Sequence, residues 1–138
     1  MASNQQKQPL TDAQTLMSES DAIIDATLRF LEAEEQKVYK NINVESLKNE
    51  LLIQKILFEF CKTAYEKRRA GSRNSNEDNV LENLEPVKAS LEKVKYELRA
   101  LLQTDEDGAL EEAKDKTEVA FAELASSVGR LKAIFRSP

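Results

Sequence analysis

The residues able to carry out chemistry are few, because the chain contains no histidine. Without imidazole there is no Ser-His-Asp or Cys-His catalytic arrangement, and no haem or zinc site that relies on histidine. The Glu-x-x-His di-iron site of many four-helix bundles is excluded for the same reason. Carboxylate pairs such as Glu34–Glu35 and Glu111–Glu112 remain, but adjacent residues point to different sides of a helix. We therefore expect no enzymatic activity, no metal and no cofactor.

Cys61 is the only cysteine and ends the most apolar stretch, LLIQKILFEFC over residues 51–61. The sequence favours a small buried hydrophobe here over a reactive thiol. Lys62 would lower the pKa of this thiol only if both side chains were partly exposed. One cysteine cannot form an internal disulfide, and no signal peptide opens the sequence. An intracellular, cytoplasmic location is expected.

An acidic turn, Asp105-Glu106-Asp107-Gly108, resembles part of a calcium-binding loop. With Gly108 at loop position six, Gln103 falls at position one and Lys114 at position twelve, where a bidentate glutamate is required. The set of ligands is therefore incomplete, and we interpret this segment as an acidic turn that opens a helix.

Two basic segments are candidates for binding an acidic partner. The first, with Lys67, Arg68 and Arg69, lies at a predicted helix end, where the helix dipole favours positive charge. Docking of an acidic or phosphorylated partner is the alternative, and phosphorylation of Ser72 is a further hypothesis. The second segment covers the last nine residues, for which peripheral contact with an anionic membrane is the alternative to ordinary helix-end stabilisation.

Composition indicates helices nearly throughout the 138 residues, since glycine and proline number only three each. The net charge of −5 argues against a general affinity for nucleic acid, which needs a basic face. Uninterrupted apolar runs are only a few residues long, as in Ile56-Leu57-Phe58, so no membrane span is predicted.

Capping signals and apolar periodicity predict a disordered leader over residues 1–10 and a single helical domain over residues 11–138. The predicted helices cover residues 12–40, 44–70, 79–103 and 109–135. Thr11 with Gln14 has the spacing of a capping box, and Asn43 is a candidate cap for the second helix. Gly71 is predicted to end that helix in a left-handed conformation. Pro86 lies inside the third apolar stripe, so we expect a kinked or frayed start to the third helix.

The second helix is apolar around most of its circumference over residues 51–65. Such a helix cannot leave one side in water, so we expect it to be the central helix, covered on every side by the others. The third helix carries a strict heptad stripe, and the fourth carries a second stripe of small residues that would let a neighbouring backbone come close. These stripes and the first basic segment are the candidate partner-binding residues: Val87, Leu91, Val94, Leu98, Leu101, Ala122, Ser126, Gly129, Ala133, Lys67, Arg68 and Arg69.

The predicted fold is all-α, an antiparallel four-helix bundle. The helix breaks near residues 41–44 and 103–108 are about equally far from the 72–79 loop, so they would meet if that loop closed a hairpin. A long hinged helical hairpin, as in coiled-coil complexes, is the alternative. The predicted function is a non-catalytic interaction or scaffold subunit that binds a protein partner or itself through its heptad-patterned faces. The alternative is a chaperone or carrier that holds a partner helix or an apolar ligand between its helices.

Overall fold

The computed structural model describes residues 10–71, 77–104 and 107–136. Within these ranges the chain forms four α-helices and no strand: α1 (Asp12–Glu34), α2 (Val44–Ala70), α3 (Glu77–Leu102) and α4 (Asp107–Ile134). The predicted all-α helical bundle is confirmed. Ser72, which we considered as a phosphorylation site, lies outside the described residues.

The first two helices begin at the predicted caps. The Thr11 Oγ1 accepts a hydrogen bond from the Gln14 N–H, and the Gln14 side-chain oxygen accepts one from the Thr11 N–H, both at 3.0 Å. The Asn43 Oδ1 accepts the Ser46 N–H at 3.0 Å. Each cap satisfies an amide that has no partner inside its helix, which is why the helices begin at these residues.

The first helix ends six residues before the predicted Lys40. Beyond Glu34 the chain turns, and the Tyr39 hydroxyl donates a hydrogen bond back to the Glu34 carboxylate. Asn41 then adopts a φ of 68°, a left-handed conformation that asparagine tolerates better than most residues and that no α-helix can include. Val38, the last residue of the predicted apolar stripe, is fully exposed as a result.

The left-handed conformation predicted for Gly71 was wrong, whereas the kinked or frayed start predicted for α3 at Pro86 stays a prediction. Gly71 does follow the last residue of α2, but its φ is −78°, so the helix ends without a left-handed residue. The Gly71 N–H donates to the Lys67 carbonyl at 3.1 Å, as in a continuing helical turn. Helix α3 starts earlier than predicted, at Glu77, and continues through Pro86. Pro86 is exposed, so the hydrogen bond that its missing N–H removes lies on the water side of the helix.

Each helix contacts two others, in the cyclic order α1, α2, α4, α3. Helices α1 and α2 are antiparallel, because Lys55 pairs with Asp25 at 3.0 Å and Lys62 pairs with Asp21 further back along α1. Helices α3 and α4 are also antiparallel, as Ser90 bonds Ser127 and Lys93 pairs with the earlier Glu123.

The other two neighbouring pairs run parallel. Lys88 of α3 pairs with Glu19 of α1, and Arg99 lies 4.5 Å from the ring centroid of Phe30, eleven residues further along both helices. Helices α2 and α3 therefore lie diagonally across the bundle and meet at one end, where Tyr65 and Arg69 of α2 contact Glu77 of α3. Ile42 and Asn43 of the first helix break line the same groove as Leu101 in the last turn of α3.

The core is formed by one stripe from each helix. The α3 stripe at Val80, Leu84, Val87, Leu91, Val94, Leu98 and Leu101 is at most 2% exposed. Side chains of the other three helices pack against it in one cluster, with Leu31, Phe58 and Leu124 among those that are fully buried. Burying these stripes is the main driving force of folding.

Tyr65, near the end of α2, contacts the starts of both α1 and α3. Its ring is buried, and its hydroxyl donates to the Glu77 carboxylate, 2.7 and 2.9 Å from the two oxygens. The same hydroxyl lies 3.1 Å from the Thr11 Oγ1 at the start of α1. One side chain of α2 therefore fixes the first residues of both α1 and α3, and its burial raises the pKa of Tyr65 to about 12.

We expect Tyr65→Phe to lower the free energy of unfolding by about 1–3 kcal/mol, since it removes a hydrogen bond to a charged group but keeps the buried ring. Urea unfolding followed by circular dichroism measures this loss. Tyr96→Phe is the matched control, because Tyr96 is 69% exposed. An unchanged unfolding midpoint for Tyr65→Phe would show that the hydroxyl contributes nothing to the bundle.

The same residue predicts a loss of stability in alkali. The pKa of Tyr65 is raised above its unfolded value of 10.0, so the folded state holds this proton more tightly. Its contribution is full below pH about 10 and is lost as the pH rises through about 12. Unfolding measured at several pH values should therefore show the stability difference between wild type and Tyr65→Phe narrowing across that window. A constant difference would contradict the assignment.

Candidate interaction surface

The heptad residues predicted to bind a partner are core residues in this structure. Val87, Leu91, Val94, Leu98 and Leu101 are at most 2% exposed and belong to the helix that contacts α1 and α4. The heptad pattern is therefore used for packing within one chain. A partner could reach these side chains only by opening the bundle.

The basic segment at the end of α2 is largely engaged within the chain. The guanidinium of Arg68 lies 5.0 Å from the ring centroid of Phe135 and donates to the Ile134 carbonyl at 3.0 Å. Arg69 lies 4.0 Å from the Glu77 carboxylate. Lys67 is exposed. Two of the three predicted partner-binding residues therefore hold the end of α2 against α4 and α3.

The small-residue stripe of α4 lies on the outside of the bundle. Its four members are all exposed: Ala122, Ser126, Gly129 and Ala133. A Cβ atom added at Gly129 would meet nothing within 4 Å. The neighbour that these small residues were predicted to admit is therefore not another helix described in this chain, and the stripe remains accessible from outside.

The prediction that α2 is surrounded on every side was wrong. One side of this helix is buried through Leu51, Phe58 and Cys61, but the opposite side faces water. Its large apolar side chains there are 56% exposed at Ile53, 67% at Ile56 and 45% at Phe60.

We expected these three residues in the interior because they belong to the most apolar stretch of the chain. The sequence nevertheless indicated that this side of α2 faces water. Asn49 and Lys67 fall on the same side of α2 as Ile56 at 100° per residue, and both are polar and exposed.

We group the exposed apolar residues of α2 with the small residues on the outer side of the neighbouring helix α4 and call them together the α2/α4 face. It comprises Ile53, Ile56, Phe60, Ala122 and Gly129, with their exposed neighbours on the same two helices. The helices contact one another, and the Lys132 Nζ lies 5.5 Å from the ring centroid of Phe60 across the seam. From Ile53 to Phe60 the apolar part extends over about 10 Å of helix.

The two ends of this face carry opposite charge. Helices α2 and α4 run parallel, because Glu50 and Glu118 line one groove while Arg68 bonds Ile134 near the other end. Their first turns therefore lie together, and so do their last turns. The exposed acidic residues of the first end are Glu45, Glu50, Glu111, Asp115 and Glu118. Lys67, Lys132 and Arg136 are at the other end, where Arg68 adds a fourth positive charge.

A groove of about 250 Å³ lies at the acidic end of the face. It is lined by apolar residues such as Leu47 and Phe121 and by Lys114, Glu50 and Glu118. Partial burial, and then the charge of Glu118, raise the pKa of Glu50. Lys114 in the same groove already supplies one positive charge beside these carboxylates.

The other candidate sites offer no reactive chemistry. Cys61 is fully buried, and that burial raises the pKa of its thiol to about 11 although the charge of Lys132 opposes the shift. In the described ranges no group of three or more acidic or cysteine side chains is placed to hold a metal ion. At the basic C-terminal end, Leu131 and Phe135 are buried, so the apolar side of the segment considered for membrane contact faces the core. None of the described helices combines the length and apolarity needed to cross a membrane.

Comparison with known proteins gives no further guide, since no family model, no curated protein and no solved structure matches this chain.

The burial of Cys61 predicts that its thiol reacts only when the chain unfolds. In native buffer near pH 7 we expect maleimide labelling to be negligible over hours, because both access and thiolate are lacking. Labelling should rise with urea along the same curve as the loss of helicity. Rapid labelling of the folded protein would show that the α2 core opens locally.

Proposed function

We propose that the protein is a non-catalytic interaction subunit of a protein assembly and that the α2/α4 face is its binding surface. The observation that carries this proposal is the exposure of Ile53, Ile56 and Phe60 side by side on α2. Apolar surface left in water costs about 25 cal/mol per Å² relative to burial. Contiguous apolar patches on a folded chain are a common mark of protein interaction sites.

The shape of the face supports a helical partner. Phe60 and the two isoleucines stand out from α2, whereas Ala122 and Gly129 leave α4 with little side chain beyond its backbone. We expect this difference in side-chain size to leave a shallow trough along the two parallel helices. An amphipathic helix laid along it would place its apolar side chains over α4 and be flanked by those of α2, which is the helix-in-groove mode of recognition.

The charges at the two ends give the partner a direction. A helix that is basic at one end and acidic at the other would pair with both ends of the face in one orientation only. Such exposed charges add little affinity, but they speed encounter and penalise the reversed orientation.

Site-specific photo-crosslinking in the cells that make the protein tests this function. A photoreactive amino acid at Ile56 should form covalent adducts with a protein partner, whereas the same amino acid at Tyr96 should not. Tyr96 is a matched control because it is similarly exposed and lies on α3, diagonally across the bundle from α2. Absence of protein adducts at Ile56, or the same adducts from both positions, would overturn the proposal.

Binding to the captured partner, reconstituted from purified proteins, should then depend on the apolar residues. We expect Ile53→Gln with Ile56→Gln to weaken binding about tenfold or more, since each removes an apolar contact. Their effect on the free energy of unfolding should stay within about 0.5 kcal/mol per residue, because both side chains are mostly exposed and glutamine is a good helix former. Tyr96→Gln should leave affinity unchanged, and equal losses for both variants would count against a specific surface.

A further inference from the structure

We propose that the partner on the α2/α4 face is a second copy of this chain, docked antiparallel about a two-fold axis perpendicular to the helices. The proposal rests on the proposed function for the identity of the surface and adds its occupant. It is argued from the charge distribution of the face, from its symmetry and from the register of its side chains.

The charge distribution of the face is complementary to itself when one copy is reversed. One end exposes Glu50, Asp115 and Glu118, the other end exposes Lys67 and Arg136, and the apolar residues lie between them. A reversed copy brings each acidic end over a basic end. Both contacts are then favourable at once, and no other molecule is needed to balance the charges of the face.

Symmetry leaves two ways of docking this face on a copy of itself. If the two-fold axis runs along the helices, α2 lies over α4 of the second copy, all four helices are parallel, and acidic ends meet acidic ends. If the axis runs across the helices, α2 lies over α2 and α4 over α4, both antiparallel, and opposite charges meet. Closed two-fold dimers are the commonest assemblies of identical chains, and the charges favour the antiparallel one.

The charged residues of α2 and those of α4 place this axis at the same level of the bundle. The point midway between Glu50 and Lys67 of α2 falls at Phe58–Glu59. The point midway between Asp115 and Arg136 falls at Ala125–Ser126. These two points are level with one another in the bundle, because Glu50 lies beside Glu118 and Arg68 beside Ile134. A single axis therefore pairs the charged ends on both helices simultaneously.

The same axis gives a workable packing of side chains on α2. Ile53 of one copy lies level with the small Ala64 of the other, and Phe60 lies level with the half-buried Leu57. Large side chains thus meet small or recessed ones, as interlocking surfaces require.

Packing on α4 follows from the same axis. Ala122 lies level with Gly129 of the other copy, so the two α4 backbones can approach closely. Docking of the second copy then covers both the small residues of α4 and the exposed apolar side of α2.

Light scattering on a sizing column tests the dimer with the full chain. We expect a mass twice the 15.6 kDa of the chain at micromolar concentration. Raising the salt from about 50 mM to about 500 mM should weaken the dimer, since it screens the exposed pairs. Two reversal variants, Glu50→Lys with Glu118→Lys and Lys67→Glu with Arg136→Glu, should each weaken self-association about tenfold or more, because every change acts twice in a symmetric dimer.

An equimolar mixture of the two reversal variants should recover the dimer, because each then offers the ends that the other lacks. Circular dichroism of each variant alone confirms that the bundle is folded. A monomer at about 100 µM wild-type chain, where even weak dimers form, would overturn the inference. So would a dimer that neither variant affects.

Cross-linking tests the antiparallel orientation. In a Cys61→Ala background, Asn49→Cys combined with Lys67→Cys places two exposed thiols on the outer side of α2, about 27 Å apart in one chain. They cannot bond within a chain, but in the antiparallel dimer each lies within one residue, about 1.5 Å along the helix, of the other residue of the second copy. Mild oxidation should give a covalent dimer from the double variant and none from either single variant. Dimers from a single variant would overturn the antiparallel arrangement.

The two proposals fail in different ways. A monomeric chain whose Ile56 position captures a different protein removes only the inference of a second copy. A chain that forms no protein adduct at Ile56 removes the proposed function as well.

Discussion

A four-helix bundle buries only one side of each helix, and this limit decides where the apolar residues of α2 go. Each helix here contacts two others and leaves its outer side to water. A helix with a single apolar stripe, such as α3, fits this arrangement fully, since its stripe is at most 2% exposed. Helix α2 has more apolar circumference than two neighbours can cover. The bundle therefore buries one side of α2 and leaves its remaining apolar side chains exposed to water, where they form the apolar part of the α2/α4 face.

The cyclic order of the helices fixes which side is presented and what lies beside it. Ion pairs along the α1/α2 seam occur at Lys48, Lys55 and Lys62, every second turn of α2, and these lysines reach carboxylates of α1 or of Glu35, the residue that follows it. Such partly exposed pairs contribute at most about 1 kcal/mol each, so they select the helix register more than they stabilise it. With α1 on that seam and α4 on the other, Ile53 and Phe60 lean towards α4 and join its small residues.

The secondary structure was predictable where a local signal decides it, and the arrangement was not. Thr11 and Asn43 start helices because their own side chains accept the nearby amides, which sequence alone reveals. Val38 continued the apolar period but lies beyond the end of α1, since the left-handed Asn41 and the Tyr39 hydrogen bond outweigh one apolar contact.

The candidate site was only half predictable for a related reason. The small stripe of α4 was identified, but Ile53, Ile56 and Phe60 were assigned to the core, because periodicity states that a residue is apolar and not which neighbour covers it. That choice depends on four helices competing for one interior. The position of α3, diagonally across the bundle from α2, decides which side of α2 is covered. No local pattern in the sequence of the described residues indicates that position.

The charges that orient the face also have a reason within a single chain. Glu45 in the first turn of α2, and Lys67 and Lys132 in the last turns of α2 and α4, offset the helix dipoles, a contribution of about 0.3–1 kcal/mol each. In an antiparallel pair these charges alternate between the ends and cancel along the bundle. Helices α2 and α4 are parallel, so Glu50 lies with Glu118 and Lys67 with Lys132, and the two helix dipoles add. A reversed second copy would offset the dipoles and the side-chain charges of this pair together, which is the physical reason that the same residues can serve the folded chain and its assembly.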